Sequence, residues 1–95
     1  MIKEIIIVAT PGIDLYLQNN ILTADDMESL IRAAIKHEDK SYFFAFKKNR
    51  LKTTVTDGNN NILDELLVMI PEQIWIIIDK SKETITCTVM LPEEY

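Results

Sequence analysis

The stretch from residue 23 to residue 38 constrains the fold most, because its pattern fits an amphipathic helix at every level. Its apolar residues recur at intervals of three and four, which places them on one helix face; they are Met27, Leu30, Ile31, Ala34 and Ile35. Thr23 can cap the first turn, and Asp26 follows three residues later as an approximate capping box. The sequence therefore predicts one long helix over residues 23–38.

Most other apolar residues fall into short segments typical of β-strands. We expect strands over residues 3–10, 41–47, 51–57, 73–79 and 83–91. The second and third of these form one hairpin, and the last two form another. Uninterrupted apolar runs at residues 5–8 and 75–78 predict interior strands that are buried on both faces. The last strand alternates threonines with apolar residues, which favours a position nearer an edge of the sheet.

Two segments are ambiguous. Residues 13–18 alternate apolar and polar side chains, which suits a further strand after the turn at Pro11 and Gly12. In residues 62–70, Asn61 can cap a short helix that Pro71 would end, and we prefer that helix over a strand. The predicted fold class is α+β, in the order β-α-β-β-α-β-β. It has a mainly antiparallel sheet of about five strands, with one long and one short helix on one face.

Composition limits the classes of protein that this chain can represent. With 95 residues, 47% hydrophobic and 26% charged, it is expected to form a single small α+β domain over residues 1–95. A net charge of −5 argues against bulk binding to nucleic acid or membrane surfaces, and no apolar run is long enough for a membrane span. A lone Cys87 indicates a reducing cytoplasm. The many Ile, Lys and Asn residues suggest a low-GC bacterial or phage origin.

A basic and aromatic segment, residues 36–52, differs from the rest of this acidic chain. Six basic residues against two acidic ones give it a charge of +4, whereas four against thirteen give the remainder −9. Cations at the bend could meet phosphates while aromatic rings stack on bases. The candidate binding residues are Tyr42, Phe44, Lys47, Lys48, Arg50 and Lys52. Phenylalanines on strands usually belong to the core, so the direction in which the rings point decides between the two interpretations.

Catalytic chemistry has weak support. His37 could act as a base or metal ligand beside Glu38, but a solvated helix end explains it better, since no ligand spacing accompanies it. Cys87 is expected in the core. Acidic residues near the start of the long helix suit the helix dipole. No cofactor, metal or catalytic motif is therefore expected, and the sequence favours a protein that is not an enzyme.

These observations favour a non-enzymatic interaction or regulatory module that binds a protein partner, such as an inhibitor, an immunity-type protein or a phage-encoded regulator. Self-association as a homodimer through a sheet edge is a further expectation. The alternative is a nucleotide- or nucleic-acid-binding domain that uses the hairpin over residues 42–52.

Overall fold

Six β-strands form one mixed sheet in the computed structural model, which describes residues 3–95. The elements are β1 (Glu4–Ala9), α1 (Pro11–Gln18), α2 (Ala24–Lys36), β2 (Phe43–Asn49), β3 (Lys52–Thr56), β4 (Ile62–Leu66), β5 (Ile74–Lys80), β6 (Thr84–Met90) and a final 3-10 turn (Pro92–Glu94). Across the sheet the strand order is β1-β6-β5-β2-β3-β4. Only the pairing of β1 with β6 is parallel. The predicted α+β class is confirmed, with six strands instead of about five and with both helices before β2.

Both helices contribute to one hydrophobic cluster on the same side of the sheet. Ile13 of α1 and Leu30 of α2 are completely buried there with strand residues such as Phe44 and Ile76. On the other face, Trp75 lies edge-on to the ring of Phe43, at 5.0 Å between centroids, and to that of Tyr95, at 5.7 Å. These aromatic contacts hold the C-terminal turn against the middle of the sheet.

The long helix and both hairpins agree with the sequence. The capping box of α2 is complete, because Thr23 Oγ1 accepts from the Asp26 N–H and Asp26 Oδ2 accepts from the Thr23 N–H, each at 3.1 Å. In the first hairpin Asn49 pairs with Lys52, so the loop is two residues long. The strand β5 lies between β2 and β6, as its doubly apolar run predicts.

The prediction of a strand over residues 13–18 is wrong, because residues 11–18 form α1. Pro11 occupies the first turn, where its missing N–H costs nothing. The carboxylate of Glu94 accepts hydrogen bonds from the Gly12 N–H at 2.9 Å and the Thr10 hydroxyl at 2.6 Å. A Cβ on residue 12 would come within 2.7 Å of Leu91 Cδ1. The start of α1 is thus fixed by residues about 80 positions away, which no local pattern can indicate.

The preferred helix over residues 62–70 is also wrong, because this segment contains the strand β4. Asn61 does not cap a helix. Its side chain donates to Asp57 Oδ2 at 2.8 Å, and its carbonyl accepts from the Asp57 N–H at 3.2 Å, which closes a turn. That turn returns the chain alongside β3, whose outer edge would otherwise be unpaired. The apolar stripe of the expected helix does not face the core as a unit, since Ile70 is buried whereas Ile62 is 66% and Leu67 84% exposed.

The prediction that β1 is an interior strand is wrong as well. It lies at the edge of the sheet and pairs with β6 alone. An uninterrupted apolar run fits a strand covered on both faces, but it does not reveal whether the cover comes from the same chain. β6 lies between β1 and β5, one strand in from that edge.

Candidate interaction surface

The outer edge of β1 presents unpaired backbone groups. The Glu4 N–H donates to the Glu83 carbonyl at 2.9 Å, and the Thr10 N–H donates to the Val89 carbonyl at 3.1 Å. Since hydrogen-bonding groups alternate in direction along a strand, the even-numbered residues of β1 face β6. Ile5, Ile7 and Ala9 therefore point their N–H and C=O groups away from the sheet.

The side chains from Ile5 to Val8 of β1 are apolar and about half-exposed on both faces of the sheet. Ile5 and Ile7 share the helix side with Ile85 and Cys87 of β6, whereas Ile6 and Val8 lie on the opposite side. Their exposed fractions are 48% for Ile5, 40% for Ile6, 52% for Ile7 and 43% for Val8. Natural edge strands usually carry charges, prolines or bulges that block pairing with another chain. Beyond Glu4, β1 has none of these, and its register with β6 is continuous.

An apolar groove of about 520 Å³ runs along the helix side of this edge, between β1 and the two helices. Its apolar lining consists of Ile5, Ile7, Leu17, Ala24, Met27, Ile31 and Ile35. The charged residues that line it are Glu28 and Arg32, which form an ion pair at 2.7 Å. The groove and the unpaired strand edge together make one continuous surface, which we call the β1 surface.

The opposite edge of the sheet, β4, is protected in the ways that β1 is not. Its register with β3 shifts between Val55 and Thr56, which marks a bulge. It also carries Asp64 and Glu65 within the strand. Lys52 lies 3.6 Å from Glu65. Bulges and charges of this kind discourage pairing with another chain. The β4 edge is therefore blocked, whereas the β1 edge is open to pairing.

His37 is buried instead of solvated, which corrects the expectation of a free helix end. It is 7% exposed, and its Nε2 lies 3.1 Å from Asp64 Oδ2. The hydrogen bond from His37 is the main cause that lowers the pKa of Asp64, helped by the Glu65 N–H and by Lys36 at 3.6 Å. The pair joins the end of α2 to β4. Among residues 3–95, no three His, Cys, Asp or Glu side chains are arranged to hold a metal ion.

Cys87 is completely buried, as predicted. Burial raises the pKa of its thiol, and the negative charge of Glu38 raises it further. A thiol with a raised pKa and no exposed surface is unreactive. Cys87 is therefore a core residue.

The predicted basic and aromatic site is not assembled in the structure. Phe44 is completely buried with Phe46, so the expectation that Phe44 stacks on a ligand is wrong. Tyr42 is 69% exposed but precedes β2, whereas Arg50 follows it. Eight residues at about 3.3 Å each separate Tyr42 from Arg50 by roughly 26 Å.

The basic residues of this hairpin remain at its tip. Lys47, Lys48 and Arg50 are exposed, and Lys52 is partly neutralised by its ion pair with Glu65. Lys47 and Lys48 are adjacent on a strand and so project to opposite faces. The tip is a small positive surface without an aromatic platform.

Sequence reasoning expected association through a sheet edge, but it did not identify β1 as that edge. Residues 5–8 were expected to be covered by the chain's own sheet, and nothing in their pattern distinguishes that case from cover by a partner. No helix in residues 3–95 is long and apolar enough to cross a membrane. No protein-family model, curated protein or solved structure matches this chain.

Proposed function

We propose that this protein is a non-enzymatic interaction module that binds a protein partner at the β1 surface by strand addition. The observation that carries the proposal is the apolar, half-exposed edge of β1 from Ile5 to Val8 with its outward backbone groups. In this mode of recognition, an extended segment adds a strand to the sheet. Main-chain hydrogen bonds supply affinity, and pockets for alternate side chains supply specificity.

The groove gives the added strand a place for its side chains. A segment paired with Ile5 and Ile7 directs every second side chain toward the helix side, where the groove is apolar. The segment that fits is extended and apolar at alternate positions. The module would act as an inhibitor or regulator in the cytoplasm, where the Cys87 thiol stays reduced.

Capture from a cell lysate tests this function, with the wild type compared with two single variants. Ile7→Lys places a charge at the edge of β1, and we expect it to abolish retention of the partner. Ile62→Lys makes the same change on the opposite edge at β4, where the isoleucine is even more exposed, and it serves as the matched control. Circular dichroism verifies that both variants fold. Retention of the same proteins by all three chains would contradict the proposal.

A second candidate function is nucleotide or nucleic-acid binding at the hairpin tip, favoured by the exposed cations Lys47, Lys48 and Arg50. Binding at the hairpin tip would depend on phosphate contacts alone, so the affinity must fall steeply as salt is added. Lys48→Glu combined with Arg50→Glu should abolish binding to a labelled oligonucleotide. Lys80→Glu combined with Lys82→Glu makes the same charge change at the β5–β6 turn and should leave binding intact. Salt-insensitive binding counts against this candidate.

A further inference from the structure

We infer that the strand added to β1 is β1 of a second copy, so that two chains form one continuous mixed sheet of twelve strands, in which the two β1 strands pair antiparallel around a two-fold axis. This inference rests on the proposed function, because it names the occupant of the β1 surface. The same patch then serves both chains, as in the closed two-fold dimers that dominate natural oligomers.

Symmetry restricts the register of such a pairing. A two-fold axis perpendicular to the sheet keeps each side chain on its own face of the sheet. It must therefore pass midway between one residue of β1 and the same residue in the second copy. Centring on Ile6 sets Ile6 against Ile6 of the second copy, and Ile5 against Ile7 of the second copy. The outward N–H and C=O groups of Ile5 and Ile7 then become hydrogen-bonded pairs, while the Ile6 pair is the non-hydrogen-bonded type. Of the symmetric registers, this one brings all three isoleucines against isoleucines.

The charges at this surface suit a copy of itself better than a strongly charged partner. Within the groove, Glu28 is neutralised by Arg32, so the groove beside β1 has no net charge although the chain carries −5. Glu4, the one charge of β1, would lie opposite Val8 of the second copy in the antiparallel register. A parallel pairing would set Glu4 against Glu4, and like charges placed directly opposite are unfavourable.

The size of the surface indicates a dimer that dissociates on dilution. Six residues of strand bury much less than the about 800 Å² per partner of a standard interface, so the two grooves must also close against each other. In a continuous sheet they lie on the same face, on either side of the two-fold axis. The apolar linings from α1 and α2 of both chains then flank the new strand pair.

Disulfide cross-linking tests the register directly. In a non-hydrogen-bonded antiparallel pair the Cα atoms are about 4.5 Å apart, within the range that a disulfide bridges. Ile6→Cys should therefore form a covalent dimer rapidly under mild oxidation. The matched control Val8→Cys is equally exposed, but its two copies would lie about 13 Å apart along the strands and should cross-link at least tenfold more slowly. The wild type should not cross-link, because Cys87 is buried.

Each outcome separates this inference from the proposed function. Rapid cross-linking of Ile6→Cys alone supports the dimer. Equal rates for Ile6→Cys and Val8→Cys, or a wild type that stays monomeric at about 1 mM in sedimentation equilibrium, overturn it. If that monomer still retains a lysate partner in a manner that Ile7→Lys abolishes, the proposed function stands with a different occupant. If the monomeric wild type retains no lysate partner, both the dimer and the proposed function are contradicted.

Discussion

Replacing Ile7 by lysine is the sharpest perturbation of the β1 surface, because Ile7 contributes to both the groove and the strand edge. Its side chain is 52% exposed, so about half of its hydrophobic burial is still to be gained on association. Full burial of an isoleucine is worth roughly 1.5–3 kcal/mol, so the lost half is about 1 kcal/mol per copy and about 2 kcal/mol per dimer.

Charge repulsion adds to this loss. In the register centred on Ile6, the two substituted positions lie about 8 Å apart, where two unit charges in water repel by roughly 0.5 kcal/mol. The total of about 2.5 kcal/mol corresponds to an increase in the dimer Kd of about 30- to 100-fold. The free energy of unfolding of the monomer should fall by only about 1 kcal/mol, because the side chain is already half in water.

Sedimentation equilibrium over a concentration range from about 1 μM to 1 mM measures this change in Kd. Ile62→Lys on the opposite edge should dimerise like the wild type. Urea unfolding of all three chains separates an effect on association from an effect on the fold. An unchanged Kd for Ile7→Lys, or an equal weakening by Ile62→Lys, would refute the reasoning.

Three further predictions concern the fold that supports this surface. Asp64→Asn weakens the bond to His37 and should lower the free energy of unfolding at pH 7 by about 1 kcal/mol. Because the pKa of Asp64 is lowered in the folded state, its stabilisation is complete above the unfolded value near 4 and is lost as the pH falls through the folded value. The difference in urea midpoint between the variant and the wild type should therefore shrink as the pH is lowered below about 4, and a constant gap would contradict this. Thr23→Ala removes the cap of α2 and should cost about 1 kcal/mol in urea unfolding, whereas an unchanged midpoint would mean that the capping box contributes nothing. The hydrogen bond to Glu72 raises the pKa of Tyr16 to about 12. Glu72→Gln should therefore lower the pKa of one phenol toward 10 in an ultraviolet titration, and an unchanged titration curve would contradict this contact.

The elements that the sequence predicts correctly are those with signals contained in their own residues. The helix α2 combines an apolar stripe with a cap, and each hairpin combines two strands with a polar bend. Local preference and final structure agree there, so short-range reasoning is sufficient.

The errors occur where distant residues decide the structure. The start of α1 depends on Glu94, which lies about 80 positions away, and β4 forms on the edge that β3 provides, after a local turn closed by Asp57 and Asn61. His37 looks like a solvated helix end until β4 brings Asp64 against it. The position of β1 is harder to predict. An apolar run predicts that a strand is buried, but it does not show whether the chain itself or a partner covers the strand.

Amide hydrogen exchange along β1, measured by NMR at low and high protein concentration, tests the central claim most directly. The amides of Ile6 and Val8 face β6 and should be protected at every concentration. Those of Ile5 and Ile7 face outward, and we expect them to exchange rapidly in dilute solution and at least tenfold more slowly once the chains associate. Exchange of Ile5 and Ile7 at the same fast rate in concentrated protein would contradict the account.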